Sequence, residues 1–148
     1  MKRSKKNIVI ISILALLVTS VCAGVYFYKK GPLDVRKATG QHVSAVELYA
    51  AFLSDSTKAN KKYVSNVLVV QGEITRVSEN ARQQKIVLLK TANEGAYVNC
   101  TLEETPEQIV SSGLITIKGL CSGIGQGDAD LGITGDVYLT RGYIQTNH

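Results

Sequence analysis

The run from Asn7 to Tyr28 constrains this chain more than any other feature: 22 residues without one charged side chain. As an α-helix rising about 1.5 Å per residue, it is long enough to cross a hydrocarbon core of about 30 Å. Lys2, Arg3, Lys5, Lys6 and the α-amino group precede it, whereas only Lys29 and Lys30 follow. Lys and Arg are retained on the cytoplasmic side, so the N-terminus is expected inside and the rest of the chain outside the cytoplasmic membrane. Tyr26 and Tyr28 stand at the far end, where amphipathic rings favour the interface. The organisation read from this is a basic cytoplasmic N-terminus at 1–6 and a single-pass transmembrane anchor at 7–28. A tether follows at 29–43 and one folded domain at 44–148.

A cleaved signal peptide is the alternative, because Val21-Cys22-Ala23 offers tolerable residues to a signal peptidase; the domain would then be secreted or periplasmic. The run continues past that point and exceeds the usual apolar core of about 7–15 residues, which favours the anchor. Cys22 fits lipidation poorly, since the bulky Val21 stands where a small residue normally precedes a lipid-bearing cysteine.

The chain's formal charge of +5 comes from its N-terminal end. After residue 31 there are 11 Lys and Arg against 12 Asp and Glu, a balance of −1. Proteins that bind polyanions neutralise phosphates with clustered Lys and Arg, and this domain has no such excess. Nucleic acid is therefore disfavoured as a partner.

Within 29–43, Gly31-Pro32 and Gly40 interrupt polar residues without periodicity, which reads as a tether. Ser44-Ala45-Val46-Glu47 then has the form of a capping box. Val46, Tyr49, Ala50 and Leu53 follow at helical spacing, with Phe52 beside them. A second helical piece is expected from Asp55 or Ser56 to Tyr63, with Ala59 and Tyr63 on one side and Lys58, Lys61 and Lys62 outward; the three lysines read as a solvated face, with a phosphate or lipid-headgroup contact as the alternative.

Val67 to Val77 reads as a long first strand, with Gly72 as a bulge or bend. Lys85 to Lys90 is a second strand and Tyr97 to Leu102 a third, where Val98, Cys100 and Leu102 alternate with polar residues. Thr105-Pro106-Glu107 followed by Gly113 predicts one short helix. Leu114 to Gly119 and Val137 to Ile144 are the last two strands, separated by a glycine-rich loop. Three strands, a helix and two strands is the order of a mainly β, five-stranded OB-type barrel, here with an N-terminal helical segment. Val67 to Val70 and Ile86 to Leu89 are apolar on both faces, so something must cover the outside of the first two strands. The helix carrying Phe52 is expected there.

The strings Glu47-Leu48-Tyr49, Phe52, Ala59-Asn60-Lys61-Lys62-Tyr63, Val70-Gln71-Gly72, Val98-Asn99-Cys100, Ile117-Lys118-Gly119-Leu120-Cys121 and Asp136-Val137-Tyr138-Leu139 resemble the bacterial tRNA_anti-like OB-fold family over roughly residues 44–145. The resemblance implies the barrel and names no ligand, since the family name records a likeness to anticodon-binding domains. Members often carry a further cysteine near the end of the last strand, where this chain has Gly142.

No arrangement for catalysis is apparent. His42 lies in the tether, His148 is the C-terminal residue, and no H-E-x-x-H, G-x-S-x-G, Walker or Rossmann spacing occurs. The domain is expected to be no enzyme and to need no cofactor. Cys100 and Cys121 both look inward and admit two readings, a disulfide in an oxidising compartment or two separate core residues. Asp128, Asp130 and Asp136 decorate the loop between the last two strands, a ligand-facing candidate; without the later bidentate Glu of a calcium loop they specify no metal. Tyr97, Tyr138 and Tyr143 are candidate surface aromatics but are not interleaved with a basic run, as stacking on a polynucleotide would ask. The expected function is a membrane-tethered extracytoplasmic OB module that binds a protein or envelope component. A single-stranded nucleic-acid binder is the alternative, and an enzyme the third reading.

Overall fold

The computed structural model describes residues 4–145 apart from 30, 32, 105, 107, 129, 132 and 133. The chain divides into two compact units, Met1–Leu33 and Asp34–His148. The first holds helix α1, Ser4–Lys29. Its stretch Asn7–Tyr26 is long and apolar enough to cross a membrane, and none of it is buried against protein. Four consecutive residues, Ile8, Val9, Ile10 and Ile11, look to every side of the helix and are all more than half exposed. An all-round apolar surface of this kind suits lipid better than water.

The second unit contains β1 (Gln41–Ser44), α2 (Ala45–Ser54), α3 (Ser56–Tyr63), β2 (Val67–Glu79), β3 (Lys85–Lys90), β4 (Tyr97–Leu102), β5 (Gly113–Ile124) and β6 (Val137–Ile144). The sheet runs β1-β2-β3-β4-β6-β5, and β5 returns to β2. Strands β2 to β6 thereby close a five-stranded barrel, antiparallel except for the β4–β6 pair, the OB order read from the sequence. Closure is possible because β2 is 13 residues long. Its first part, Val67 to Ile74, pairs with β5, and its later part, Ile74 to Glu79, pairs with β3.

The irregularity in β2 falls between Ile74 and Arg76 rather than at Gly72. Gly72 has another role, that of making room. A Cβ there would stand 2.9 Å from the Ala45 Cβ and 3.0 Å from the Leu89 Cβ, so the start of α2 sits directly on the strand.

Helix α2 begins where the capping box predicts. The Ser44 hydroxyl accepts from the Glu47 backbone N–H at 3.1 Å, and the Glu47 carboxylate accepts from the Ser44 N–H at 3.1 Å. Its buried face is Ala45, Leu48, Tyr49 and Phe52, while Val46 and Leu53 remain 46% and 54% exposed. The expected stripe through Val46, Ala50 and Leu53 is thus rotated away, because Ala45 is fixed against Gly72. The buried face joins one core with Val70, Leu89, Val98 and Leu139 of the barrel interior. Helix α2 therefore extends the inner core and does not lie over the outside of the first two barrel strands.

The outside of the first half of β2, though not that of β3, is covered by residues expected to be a tether. Val35 is 1% exposed, and β1 pairs in parallel with Leu68 to Gln71 of β2. The Gly40 backbone presses on β2 so closely that a Cβ would meet the Val69 Cγ2 at 2.6 Å. The folded unit accordingly begins near Asp34, ten residues before the expected boundary at Ser44. A single buried valine and a glycine contact leave no periodic signature, so the sequence pattern could not show this.

Helix α3 is capped by Asp55, whose carboxylate accepts from the Lys58 N–H at 2.9 Å. Ala59 and Tyr63 are buried, with the Tyr63 ring 6.2 Å from that of Phe52. Between β4 and β5 the expected helix is absent among the described residues of 103–112, Thr105 and Glu107 lying outside them. Val110, Ser111 and Ser112 are poor helix formers, and a piece this short does not offset its nucleation cost without an apolar face to bury. Val110 is 71% exposed and only Ile109 reaches the core.

Candidate functional site

Alternation along β3, β4 and β6 sends Val87, Leu89, Val98, Cys100, Leu102, Val137 and Leu139 inward, each at most 1% exposed. The residues between them form an outer face. Register assembles a row across four strands: Arg76 of β2 opposes Leu88, Leu88 opposes Asn99, and Asn99 opposes Tyr138. A second row places Ser78, Ile86 and Thr101 side by side, and Lys90 opposes Tyr97. Leu88 and Asn99 are half-buried, Arg76 and Lys90 are exposed, and Tyr138 is 41% exposed. The face thus offers an apolar centre, an amide, two phenols and two cations with open solvent above them.

The 125–136 loop borders this face, and its base is pinned at several points. The Tyr97 N–H donates to the Asp136 carboxylate at 3.0 Å, the Thr134 hydroxyl to the Gly95 carbonyl at 2.9 Å, and the Tyr49 hydroxyl to the Gly135 carbonyl at 3.1 Å. Gly125 donates to the Asp136 carbonyl at 2.8 Å, and a Cβ on Gly135 would meet the Gly125 oxygen at 2.0 Å, so only glycine fits there. Burial pushes the Tyr49 phenol above its ordinary pKa, and the Asp136 carboxylate adds to this while the Thr134 hydroxyl opposes it.

The three aspartates of the loop are not gathered. Asp136 serves the Tyr97 N–H, whereas the Asp128 carboxylate accepts from the Asp130 and Leu131 N–H groups at 3.0 and 3.2 Å and so closes its own turn. Among the described residues no group of three or more His, Cys, Asp or Glu side chains converges.

Of the candidate aromatics, Tyr97 and Tyr138 share the outer face. Tyr143 does not. Arg141 adopts a positive φ of 53°, the register of β6 slips there, and Tyr143 emerges opposite Lys118 with the Arg36 guanidinium 4.8 Å from its ring centre. Arg36 is also ion-paired with Glu104. Arg76, Leu88 and Asn99 were not singled out in the sequence, since only cross-strand register brings them together.

Cys100 and Cys121 are free thiols, both buried. Each pairs in register with the same residue, Leu139, so β6 runs between them. Two strand spacings put their Cα atoms about 9 Å apart, beyond the roughly 7 Å a disulfide spans. Burial pushes both thiols above the ordinary cysteine pKa, and at Cys121 a hydrogen bond from the Gly123 backbone opposes this.

No curated protein matches the chain. Among solved structures it is similar to a chain described as a "putative aspartyl-tRNA synthetase from Leishmania major Friedlin", at 10% sequence identity and a TM-score of 0.42. The alignment covers 85% of this chain and 26% of that one, and the likeness is too slight to carry anything of that enzyme across. The tRNA_anti-like family model matches residues 1–130. With the closed five-stranded barrel and its strand order in place, this chain belongs to the tRNA_anti-like family of OB-fold domains.

Proposed function

We propose that this protein is a membrane-tethered binding module whose OB barrel stands on the outer side of the cytoplasmic membrane and engages a protein or envelope component. The observation that carries the reading is the open row Arg76, Leu88, Asn99 and Tyr138 on the outer face. Its apolar centre and neutral polar groups suit a mixed polar and apolar partner surface. A polynucleotide would call for a denser set of cations and stacked aromatics. The charge asymmetry around α1 supports the outward placement.

Photocrosslinking from position 88 in intact membranes tests this reading. A discrete adduct with a protein or envelope polymer, lost on Arg76→Glu and Tyr138→Ala, is expected. If residues 34–148 instead bind single-stranded RNA or DNA at micromolar concentration, weakening steeply with salt, the nucleic-acid alternative replaces it.

A further inference from the structure

Among the described residues of the folded unit, helix α3 gathers three lysines that form no ion pair. Lys58, Lys61 and Lys62 stand at i, i+3 and i+4, which places them on one side of the helix. All three are exposed, and Ala59 and Tyr63 hold the opposite side in the core. The ion pairs of the folded unit lie elsewhere: Arg36–Glu104, Lys37–Asp34, Lys85–Glu79 and Arg141–Glu103. The one acid beside the helix, Asp55, is committed to the Lys58 backbone N–H. The elements packed on α3 present Ala51 and Ser54 of α2 and Gly123 of β5, all uncharged. The Lys62 ammonium rests 4.8 Å over the Tyr63 ring, which holds its stem along the helix. Lys61 and Lys62 stand in the last turn, where the helix dipole favours cations, and this offsets their repulsion with Lys58 in a domain that is otherwise near neutral.

We infer that this face docks on the anionic phosphate headgroups of the bilayer in which α1 is anchored; the inference rests on α1 being a membrane anchor. Only residues 30–34 separate the end of α1 from buried Val35, so the chain itself holds the unit within reach of headgroups. Each lysine close to an anionic surface strengthens attachment roughly fivefold, so three acting together give on the order of a hundredfold bias toward the docked orientation. The bias falls off within about 10 Å at 0.1 M salt.

The test uses the full chain reconstituted in vesicles of phosphatidylcholine alone or mixed with phosphatidylglycerol. A membrane-impermeant acylating reagent labels the lysines, and mass spectrometry follows each one. Labelling of Lys58, Lys61 and Lys62 is expected to slow about threefold or more only in the anionic vesicles, with Lys37 and Lys90 unchanged and the protection removed by high salt. Equal rates in both vesicles, or equal slowing of every lysine, overturns the inference. So does equal slowing by inorganic phosphate in pure phosphatidylcholine, which assigns the face to a free anion. Release of the chain by an alkaline carbonate wash overturns the anchor itself, and so separates that failure from failure of the α3 face.

Discussion

The Lys118 ammonium donates to the Arg36 backbone carbonyl at 2.8 Å, joining β5 to a segment 82 residues away. Lys118 is 9% exposed, and its bond fastens the stretch from Asp34 to Ser44 over the outer surface of β2. Removing the ammonium leaves a carbonyl without its partner, so Lys118→Ala is expected to cost about 1–3 kcal/mol in chemical denaturation. A fragment that starts at residue 44 should lose more than one that starts at residue 34, since burial of Val35 alone contributes about 1.5–3 kcal/mol. Equal midpoints for the two fragments would show that 34–43 is a tether after all.

Gly72 is predicted to be intolerant of any side chain. Gly72→Val drives a branched carbon into Ala45 and Leu89, an overpacking that costs about 1–3 kcal/mol. Combining it with Ala45→Gly should recover part of that loss, which thermal melts of the two variants would read. Recovery identifies the contact with α2 as the cause, whereas simple additivity would point to the contact with Leu89.

The capping box sets a pH dependence. The Ser44 N–H and hydroxyl hold the Glu47 carboxylate below its ordinary pKa. A lowered folded-state pKa means this stabilisation is fully present above the ordinary carboxylate range and is lost as pH falls through the lowered value. Denaturation midpoints from about pH 7 down to about pH 3 should therefore fall more for the wild-type protein than for Glu47→Gln. Parallel curves would remove the Glu47 contribution.

Cys100 and Cys121 should resist alkylation in the folded protein and react at once on unfolding, because burial keeps both as thiols and excludes reagent. Mass spectrometry of native and denatured samples reads this directly. A mass deficit of two hydrogens that a reductant reverses is not expected, since Leu139 of β6 stands between them in register.

The β-rich runs made the barrel legible, and Ser44 with Glu47 placed the start of α2 correctly. What the sequence obscured depends on partners distant in the chain. Helix α2 carries two overlapping apolar stripes, and contact with Gly72 selects Leu48 and Phe52 over Val46 and Leu53. Thr105, Pro106 and Gly113 form local helix punctuation around a segment with too little to bury. Tyr97 and Tyr138 could be named as surface aromatics from alternation alone, but uniting them with Arg76, Leu88 and Asn99 requires register across four strands. Tyr143 leaves that face because of a positive φ at Arg141, a residue type that gives no warning of it.

The side of the membrane on which the barrel stands is the most direct test. Protease added to intact spheroplasts should digest residues 34–148 while a cytoplasmic marker survives, as the cluster of Lys2, Arg3, Lys5 and Lys6 before the apolar run at Asn7 leads one to expect. Protection of the barrel in sealed spheroplasts, with digestion only after lysis, would contradict an extracytoplasmic binding module.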